Sequence, residues 1–407
     1  MKIQPLSASP RRPSSASAVT VRPPVLVVLA LVLFGPAALT ARDYVQTNLV
    51  SDVPGVAAVT DPHLVGAWGV ARSPTGPWWV NSTIGGTSLV YNGSGQPFPL
   101  ANPLVVTVPP PAGMTVPSIP TGIVSYTGTQ FQVSPNRPAR FIFVTRTGTI
   151  SGWNPQANPT TAIIMVDDAG EADYTGAAVA SRNGADALFV ANFRTGTIDV
   201  YDGSFAEVEL PAGAFVDPTV PDSFSVFNVQ VIGSELYVTY APKNIFTPAG
   251  GGKGQGYVTV FDTNGVLLRR LRTGPWMNAP WGVALAPDGF GQFSGRVLVA
   301  MFGDGTIAGF DARKGNFQGR LHGSDDEPLT LAKGLWGIGF GNGATAGPVS
   351  TLYFGADFIT GGSFHGLFGT ITVAPDDDEH GNQPPETENS RGENSGESND
   401  SGRGNRG

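Results

Sequence analysis

Cysteine is absent from this chain of 407 residues. Its absence excludes disulfide bonds, thiolate metal sites and thiol nucleophiles. Charged residues are scarce, at 14%, whereas there are 55 glycines and 35 prolines. Outside the N-terminus, no long stretch places apolar residues at helical spacing. This composition is typical of many short strands joined by tight turns, so we expect an all-β fold stabilised by a large core.

The N-terminal segment, residues 1–41, has the layout of a secretory signal peptide. Arg11, Arg12 and Arg22 precede an apolar run at residues 25–34, and small residues follow up to Ala41. An apolar run of ten residues is too short to span a bilayer comfortably. We therefore expect cleavage near Ala41, a secreted or periplasmic protein, and no stable membrane insertion after cleavage. An uncleaved membrane anchor is the alternative.

The C-terminal segment, residues 375–407, contains nine acidic and three basic residues and almost nothing apolar. It has too little apolar surface to form a core, so we expect a disordered acidic tail. Residues 1–41 contain four basic and no acidic residues, so their removal changes the net charge from −8 to −12. This charge argues against nucleic acid as a partner. The folded domain is expected at residues 42–374.

One nine-residue segment occurs twice in similar form, as RTGTISGWN at 146–154 and RTGTIDVYD at 194–202. Related segments occur six times in all, and each begins at a glycine: Gly86, Gly148, Gly196, Gly256, Gly305 and Gly369. In the first five copies an aromatic residue stands five positions later: Tyr91, Trp153, Tyr201, Phe261 and Phe310. We expect these aromatic side chains to form core between repeats, because aromatic residues dominate core burial.

Two further apolar segments precede each copy, so each repeat has three readable strands and room for a fourth. The first strand has a reference position at Gly69, Gly122, Gly176, Asn228, Gly282 and Gly337, with intervals of 53, 54, 52, 54 and 55 residues. Six such units predict a six-bladed β-propeller, with strands A to D running outward in each blade. The glycines would permit close approach at the crowded axis.

The sixth repeat lacks a D strand, because only the acidic tail follows its C strand. A strand-like segment, YVQTNLVSD at residues 44–52, lies at the other end of the domain. We predict that it closes the ring as the outer strand of blade six, since closure removes an exposed sheet edge.

In this chain a segment such as WGV is followed by one such as LYV and then by one such as GTIDVYD. This order of segments resembles the NHL repeat. Longer motifs, APWGVALAPDGFGQFSG at 279–295 and GLWGIGFGNG at 334–343, are similar to a family of uncharacterised exported bacterial proteins. This resemblance implies a six-bladed propeller but no established activity. Better-known NHL-like propellers include metal-dependent lyases and lactonases and also pure interaction domains, and the fold does not choose between them.

In a propeller the D–A connections and the B–C turns share one face, here called the loop face, which usually binds ligands. Aromatic and polar residues are expected at its centre: Trp68, Arg146, Asn192, Tyr240, Trp281 and Trp336. This mixture suits a peptide, a protein or a glycan. The alternative is that the tryptophans only fill the centre of the ring.

Metal-binding residues are the other candidates on this face. His63, His322 and His365 lie in its predicted connections and could bind zinc. Two acidic clusters could bind calcium: Asp167, Asp168, Glu171 and Asp173, and Asp325, Asp326 and Glu327. Unrelated histidines and solvated turns are the alternatives. No cofactor is expected, and no catalytic residue is assigned. The favoured function is an exported, non-enzymatic binding or scaffold protein, and the alternative is a metal-dependent propeller enzyme of lyase or lactonase type.

Overall fold

The computed structural model describes residues 43–247 and 250–375, so the predicted signal peptide and most of the predicted acidic tail lie outside it. The described residues form six sheets around an axis, together with one small hairpin, and all strand pairs are antiparallel except the parallel pair formed by the first two strands. The prediction of a six-bladed β-propeller is confirmed. Among the described residues, no helix is long and apolar enough to cross a membrane.

The strands follow the repeats in order. The first strands of the described residues are β1 (Tyr44–Ser51) and β2 (Val59–Thr60). Blade one consists of β3 (Ala67–Arg72), β4 (Trp78–Ser82), β5 (Thr87–Tyr91) and β6 (Val105–Thr107). Blade two consists of β7 (Pro120–Ser125), β10 (Phe141–Thr145), β11 (Thr149–Trp153) and β12 (Ile163–Asp167), with the small hairpin β8 (Gln132–Ser134) and β9 (Arg137–Pro138) inserted after β7. Blade three consists of β13 (Tyr174–Arg182), β14 (Ala185–Asn192) and β15 (Thr197–Asp202).

Blade four consists of β16 (Phe224–Ile232), β17 (Glu235–Pro242), β18 (Tyr257–Phe261) and β19 (Leu267–Arg270). Blade five consists of β20 (Pro280–Leu285), β21 (Arg296–Met301), β22 (Ile307–Asp311) and β23 (Phe317–Arg320), with a 3₁₀ turn at Gly291–Phe293. Blade six consists of β24 (Leu335–Phe340), β25 (Leu352–Thr360) and β26 (Ser363–Val373), followed outward by β1 and β2.

The N-terminal strand closes the ring, as predicted. β1 pairs antiparallel with β26, from Tyr44 opposite Val373 to Ser51 opposite Leu367, with one irregularity. The Tyr44 hydroxyl donates a hydrogen bond to the carbonyl oxygen of Phe290 in blade five, at 3.0 Å. The first strand of the domain therefore completes the last blade and also contacts the blade before it.

Blade three differs from the expectation of a fourth strand. A single bridge, from Tyr201 to Glu207, and a hydrogen bond from the Val208 N–H to the Val200 oxygen replace that strand. Pro211 follows three residues later and has no N–H to donate, which prevents the ladder from continuing.

The repeat aromatics are core, as expected. All five are between 0% and 6% exposed. Trp153 of blade two lies 4.8 Å from Trp79 of blade one, and Tyr91 of blade one lies 5.9 Å from Phe368 of blade six, measured between ring centroids. These side chains pack between blades, so each blade depends on its neighbour to bury its apolar face.

The reference glycines lie where the A strands converge. A Cβ atom on Gly69 would stand 2.2 Å from the Thr121 oxygen of the next blade, and one on Gly282 would stand 2.3 Å from the Trp336 oxygen. Neither distance is sterically allowed, which explains the glycine at these positions. Asn228 is the exception, and its side-chain amide donates to the Trp281 oxygen at 2.8 Å. At the fourth reference position, an amide that links two A strands thus stands in place of a glycine.

Candidate functional site

A buried aromatic cluster, here called the axial plug, closes the centre of the loop face. Its core is Trp68, Trp281, Trp336 and Phe227, each at most 5% exposed. The rings of Trp68 and Trp336 stack with centroids 3.5 Å apart, and Trp281 meets Trp336 edge-on at 5.9 Å. The structure therefore brings the three predicted tryptophans together, and in this conformation little of their surface is open to a ligand.

The tryptophan N–H groups differ in their partners. Trp281 donates to the Thr175 oxygen at 3.0 Å, which ties blade five to blade three across the axis. Within residues 43–247 and 250–375, the Nε1 atoms of Trp68 and Trp336 are buried without a hydrogen-bond partner. Stacking and burial, rather than hydrogen bonding, hold these two rings in place.

Arg146 lies beside the plug and is held rigidly. Its guanidinium donates two hydrogen bonds to the Asp173 carboxylate, at 3.0 and 2.7 Å, and stands 3.7 Å above the ring of Phe246. Phe246 in turn packs on Trp68 at 6.1 Å. Phe246 and Phe302, both half-buried, lie against the plug. Arg146 is therefore linked to the tryptophans by an aromatic ring that the sequence analysis did not single out.

The other two predicted residues lie below the surface. Asn192 is 4% exposed, and its amide donates to the Asp199 carboxylate at 2.8 Å while its oxygen accepts from the backbone N–H of Asp173 at 3.3 Å. Tyr240 is 5% exposed in the core between blades three and four, and burial raises the pKa of its hydroxyl. Asn192 thus supports Arg146 through Asp173, whereas Tyr240 packs in the core.

The three histidines have different surroundings. His63 is 68% exposed with its Nδ1 2.9 Å from Asp61, and the Nδ1 of His365 lies 2.7 Å from Asp52. The backbone oxygen of His322 accepts from the N–H of Tyr44 at the start of β1. In the part of the chain that the structure describes, no three histidine, aspartate or glutamate side chains are grouped to hold a metal ion.

The acidic residues predicted as calcium ligands also have separate partners. Asp168 accepts hydrogen bonds from the hydroxyls of Tyr174, at 2.6 Å, and Tyr201, at 3.1 Å. Asp173 pairs with Arg146, and Asp325 accepts the backbone N–H of Glu327 within its own turn. These carboxylates stabilise separate local structures and do not converge on one point.

Among the described residues, the most exposed apolar pair on the loop face lies in the B–C hairpin of blade six. β24 pairs with β25 only as far as Ala356, and β1 pairs with β26 only as far as Leu367, so the rest of the hairpin projects beyond its neighbours. Its end, residues 358–364, is here called the hairpin tip. Ile359 and Phe364 stand directly opposite each other there and are 64% and 50% exposed.

The sequence placed His365 in this loop, but the repeat pattern did not indicate the exposed apolar tip. The length of the loop was a usable signal: FITGGSF, residues 358–364, places two glycines between apolar residues. Gly361 and Gly362 have φ angles of 58° and 81°, which glycine adopts without strain. A two-glycine turn flanked by apolar residues is typical of a tight β-hairpin.

Asp357 lies at the base of this hairpin. Its backbone N–H donates to the Gly334 oxygen at 2.9 Å, and the Gly334 N–H donates to the oxygen of Phe302 beside the plug. Burial raises the pKa of the Asp357 carboxyl to about 7. The indole of Trp336 offsets part of this effect, although its N–H does not reach hydrogen-bonding geometry. The hairpin base is therefore connected to the plug by backbone hydrogen bonds, beside a carboxyl whose pKa is raised by burial.

Comparison with known proteins places the chain among relatives of unassigned function. No family model matches it. It is 31% identical over 302 residues to Uncharacterized protein R648 of Acanthamoeba polyphaga mimivirus, covering 71% of this chain and 72% of that protein. It is 30% identical over 311 residues to protein L690 of the same virus, covering 73% and 79%. Protein R640 is 35% identical over 178 residues, which are 42% of this chain but only 32% of R640.

Solved structures with a similar fold include a virginiamycin B lyase from Staphylococcus aureus and a glucose dehydrogenase. The lyase is 10% identical with a TM-score of 0.44, covering 82% of this chain and 99% of that chain. The dehydrogenase is 11% identical with a TM-score of 0.44, covering 82% and 100%.

The resemblance to exported bacterial NHL-like proteins stays a prediction, since the relatives named above are viral. The chain is a six-bladed β-propeller and belongs to the same family as the mimivirus proteins R648 and L690.

Proposed function

We propose that this chain is an exported, non-enzymatic binding protein that docks a protein partner on its loop face. The observation on which this rests is the hairpin tip, which presents Ile359 and Phe364 side by side and exposed. No charged residue occurs in residues 358–364. An uncharged apolar protrusion of this kind is typical of a surface that becomes buried against another protein.

The energy available from this contact is substantial. Full burial of an isoleucine or phenylalanine side chain is worth about 1.5–3 kcal/mol each. Both side chains are at least half exposed, so about half of this energy is unused in the isolated chain. A second exposed apolar side chain, Ile84, stands in the B–C turn of blade one at 50% exposure. The base of the hairpin approaches the same blade, because Gly366 lies against the Leu64 oxygen.

The polar groups of the loop face that the sequence pattern singled out have local partners. Arg146 and Asp173 neutralise each other, and His63 and His365 each face an aspartate. Arg146 and Asp173 therefore carry no net charge as a pair, and each histidine has its Nδ1 beside a carboxylate. Isoleucine beside phenylalanine also favours a protein over a polysaccharide, since sugars offer few apolar side chains to bury. Export itself is inferred from residues 1–41, which lie outside the described residues.

Site-specific photocrosslinking tests the proposal. A photocrosslinking amino acid is placed at position 364 and, as the matched control, at position 349. Val349 is 54% exposed and lies in the connection from β24 to β25, on the opposite face. The expected result is a discrete crosslinked protein from position 364 that is absent from position 349 and is lost in Ile359→Ser. Because Ile359 is exposed, this substitution should change the free energy of unfolding by no more than about 0.5 kcal/mol.

Three results would contradict the proposal. The first is equal crosslinking from positions 364 and 349. The second is binding on a glycan array that persists in Phe364→Ser. The third is a metal ion that co-purifies in stoichiometric amount by elemental analysis and is lost on substitution of His63 or His365, which would favour the metal-dependent enzyme.

A further inference from the structure

The axis opens on the face opposite the loop face. There, residues of five blades surround a cavity of about 330 Å³, here called the funnel. Toward the axial plug it narrows to a space of about 20 Å³ between the reference glycines and Asn228. A second cavity of about 530 Å³ adjoins it, because Arg72 and Ser125 line both. The funnel has the size of a small-molecule site.

Arg72 stands where the two cavities meet. Its Nε donates to the Phe340 oxygen at 2.5 Å and its Nη2 donates to the Gly341 oxygen at 3.1 Å, so blade one is tied to blade six. These bonds use two of the five guanidinium donors. Among the described residues Arg72 has no carboxylate partner, and burial lowers its pKa.

The surroundings of this cation contain no opposite charge. Within residues 43–247 and 250–375, neither cavity is lined by an aspartate or a glutamate. The walls of the funnel include Ile123 and Ile338, and Gln230 lies deeper toward the axis. A half-buried cation without a counter-ion is costly, and an anion that binds beside it recovers part of that cost.

We propose that the funnel binds a small organic carboxylate. The carboxylate accepts hydrogen bonds from the free donors of Arg72, and its apolar chain lies along Ile123 and Ile338. Guanidinium is the side chain best matched to a carboxylate, since it is planar, always charged and able to donate two parallel hydrogen bonds. The apolar wall selects an organic acid over inorganic phosphate. This site is independent of the loop face.

Isothermal titration calorimetry on the purified chain tests this, with hexanoate as the probe. A ligand of this size should bind with a dissociation constant on the order of 1 mM. Hexanamide has the same shape without the charge and should bind about tenfold more weakly or worse, because it lacks the charge-assisted hydrogen bonds. Inorganic phosphate has the charge without the chain and should also bind more weakly than hexanoate.

Matched variants locate the site. Arg72→Gln should abolish hexanoate binding. Arg320→Gln is the matched control, because Arg320 also donates to a backbone oxygen, that of Pro275, but lies outside the funnel, and it should leave binding unchanged. Arg72→Gln also removes the bonds between blades one and six, so Gln230→Glu serves as the second variant. Gln230 lines the funnel from blade four, and a carboxylate of the same size at this position should weaken hexanoate binding several-fold by charge repulsion in a chain that unfolds like the original.

Several results would overturn the proposal. One is the absence of hexanoate binding at a hexanoate concentration about ten times the expected dissociation constant. The others are hexanamide binding as tight as that of hexanoate and phosphate binding tighter than that of hexanoate. Hexanoate binding that survives both Arg72→Gln and Gln230→Glu would place the carboxylate elsewhere.

Discussion

Closure of the ring by β1 can be tested with two valines on the same strand. Val50 is fully buried in the core shared by blades six and one, whereas Val45 is 45% exposed. Val50→Ala removes buried methyl groups and leaves a cavity, which should cost about 2 kcal/mol of unfolding free energy. Val45→Ala makes the same chemical change at the surface and should cost about 0.5 kcal/mol or less.

Substitution of Tyr44, at the other end of β1, should lower the free energy of unfolding more than Val50→Ala does. It is 2% exposed, its hydroxyl donates to the Phe290 oxygen, and its ring centroid lies 5.0 Å from that of Phe290. Tyr44→Ala should cost about 3–5 kcal/mol, as other buried aromatic-to-alanine changes do. That loss is a large fraction of a typical total stability of about 5–15 kcal/mol. Tyr44→Phe keeps the ring and should cost about 1–3 kcal/mol, because the buried oxygen loses its donor.

Urea unfolding monitored by tryptophan fluorescence is a suitable assay, since Trp68, Trp281 and Trp336 report on the axial plug. The expected order of destabilisation is Tyr44→Ala, then Val50→Ala, then Val45→Ala. Equal losses for the two valine variants, or no loss for Tyr44→Ala, would refute the conclusion that β1 holds the ring closed.

Three further predictions concern the plug, the hairpin base and the N-terminus. Trp281→Phe deprives the Thr175 oxygen of its donor and should cost about 1–3 kcal/mol more than Trp68→Phe in the same urea assay, and equal costs would contradict this. Burial raises the pKa of Asp357, so the folded chain keeps a proton that the unfolded chain releases above about pH 4. The free energy of unfolding is therefore unaffected below about pH 4 and falls as pH rises toward 7. The stability of the original chain relative to Asp357→Asn should therefore fall by up to about 4 kcal/mol between those pH values, and a constant difference would contradict it. N-terminal sequencing of the exported chain should show cleavage near Ala41, whereas a membrane-bound chain that begins at Met1 would contradict it.

The architecture was readable from the sequence because its determinants are local and repeated. Each blade repeats the same alternation of apolar strands and turn glycines, and the interval of about 54 residues counts the blades without any knowledge of their contacts. The repeat count left blade six one strand short and left the strand-like segment at residues 44–52 without a blade, so the sequence alone predicted their pairing. Blade three was an exception, since the bridge at Tyr201 and the following Pro211 replaced a strand where the repeat predicted one.

The candidate sites depended on contacts between residues far apart in the chain. The sequence placed Trp68, Trp281 and Trp336 near the axis, but only convergence of the A strands determined that their rings stack on one another and become buried. Likewise, the sequence shows an arginine at position 72, but its lack of a carboxylate partner depends on which side chains the other blades bring to the funnel. A repeat pattern specifies which face of a strand is apolar. The partners of a charged side chain depend on how all six blades pack together, and the local sequence does not determine that packing.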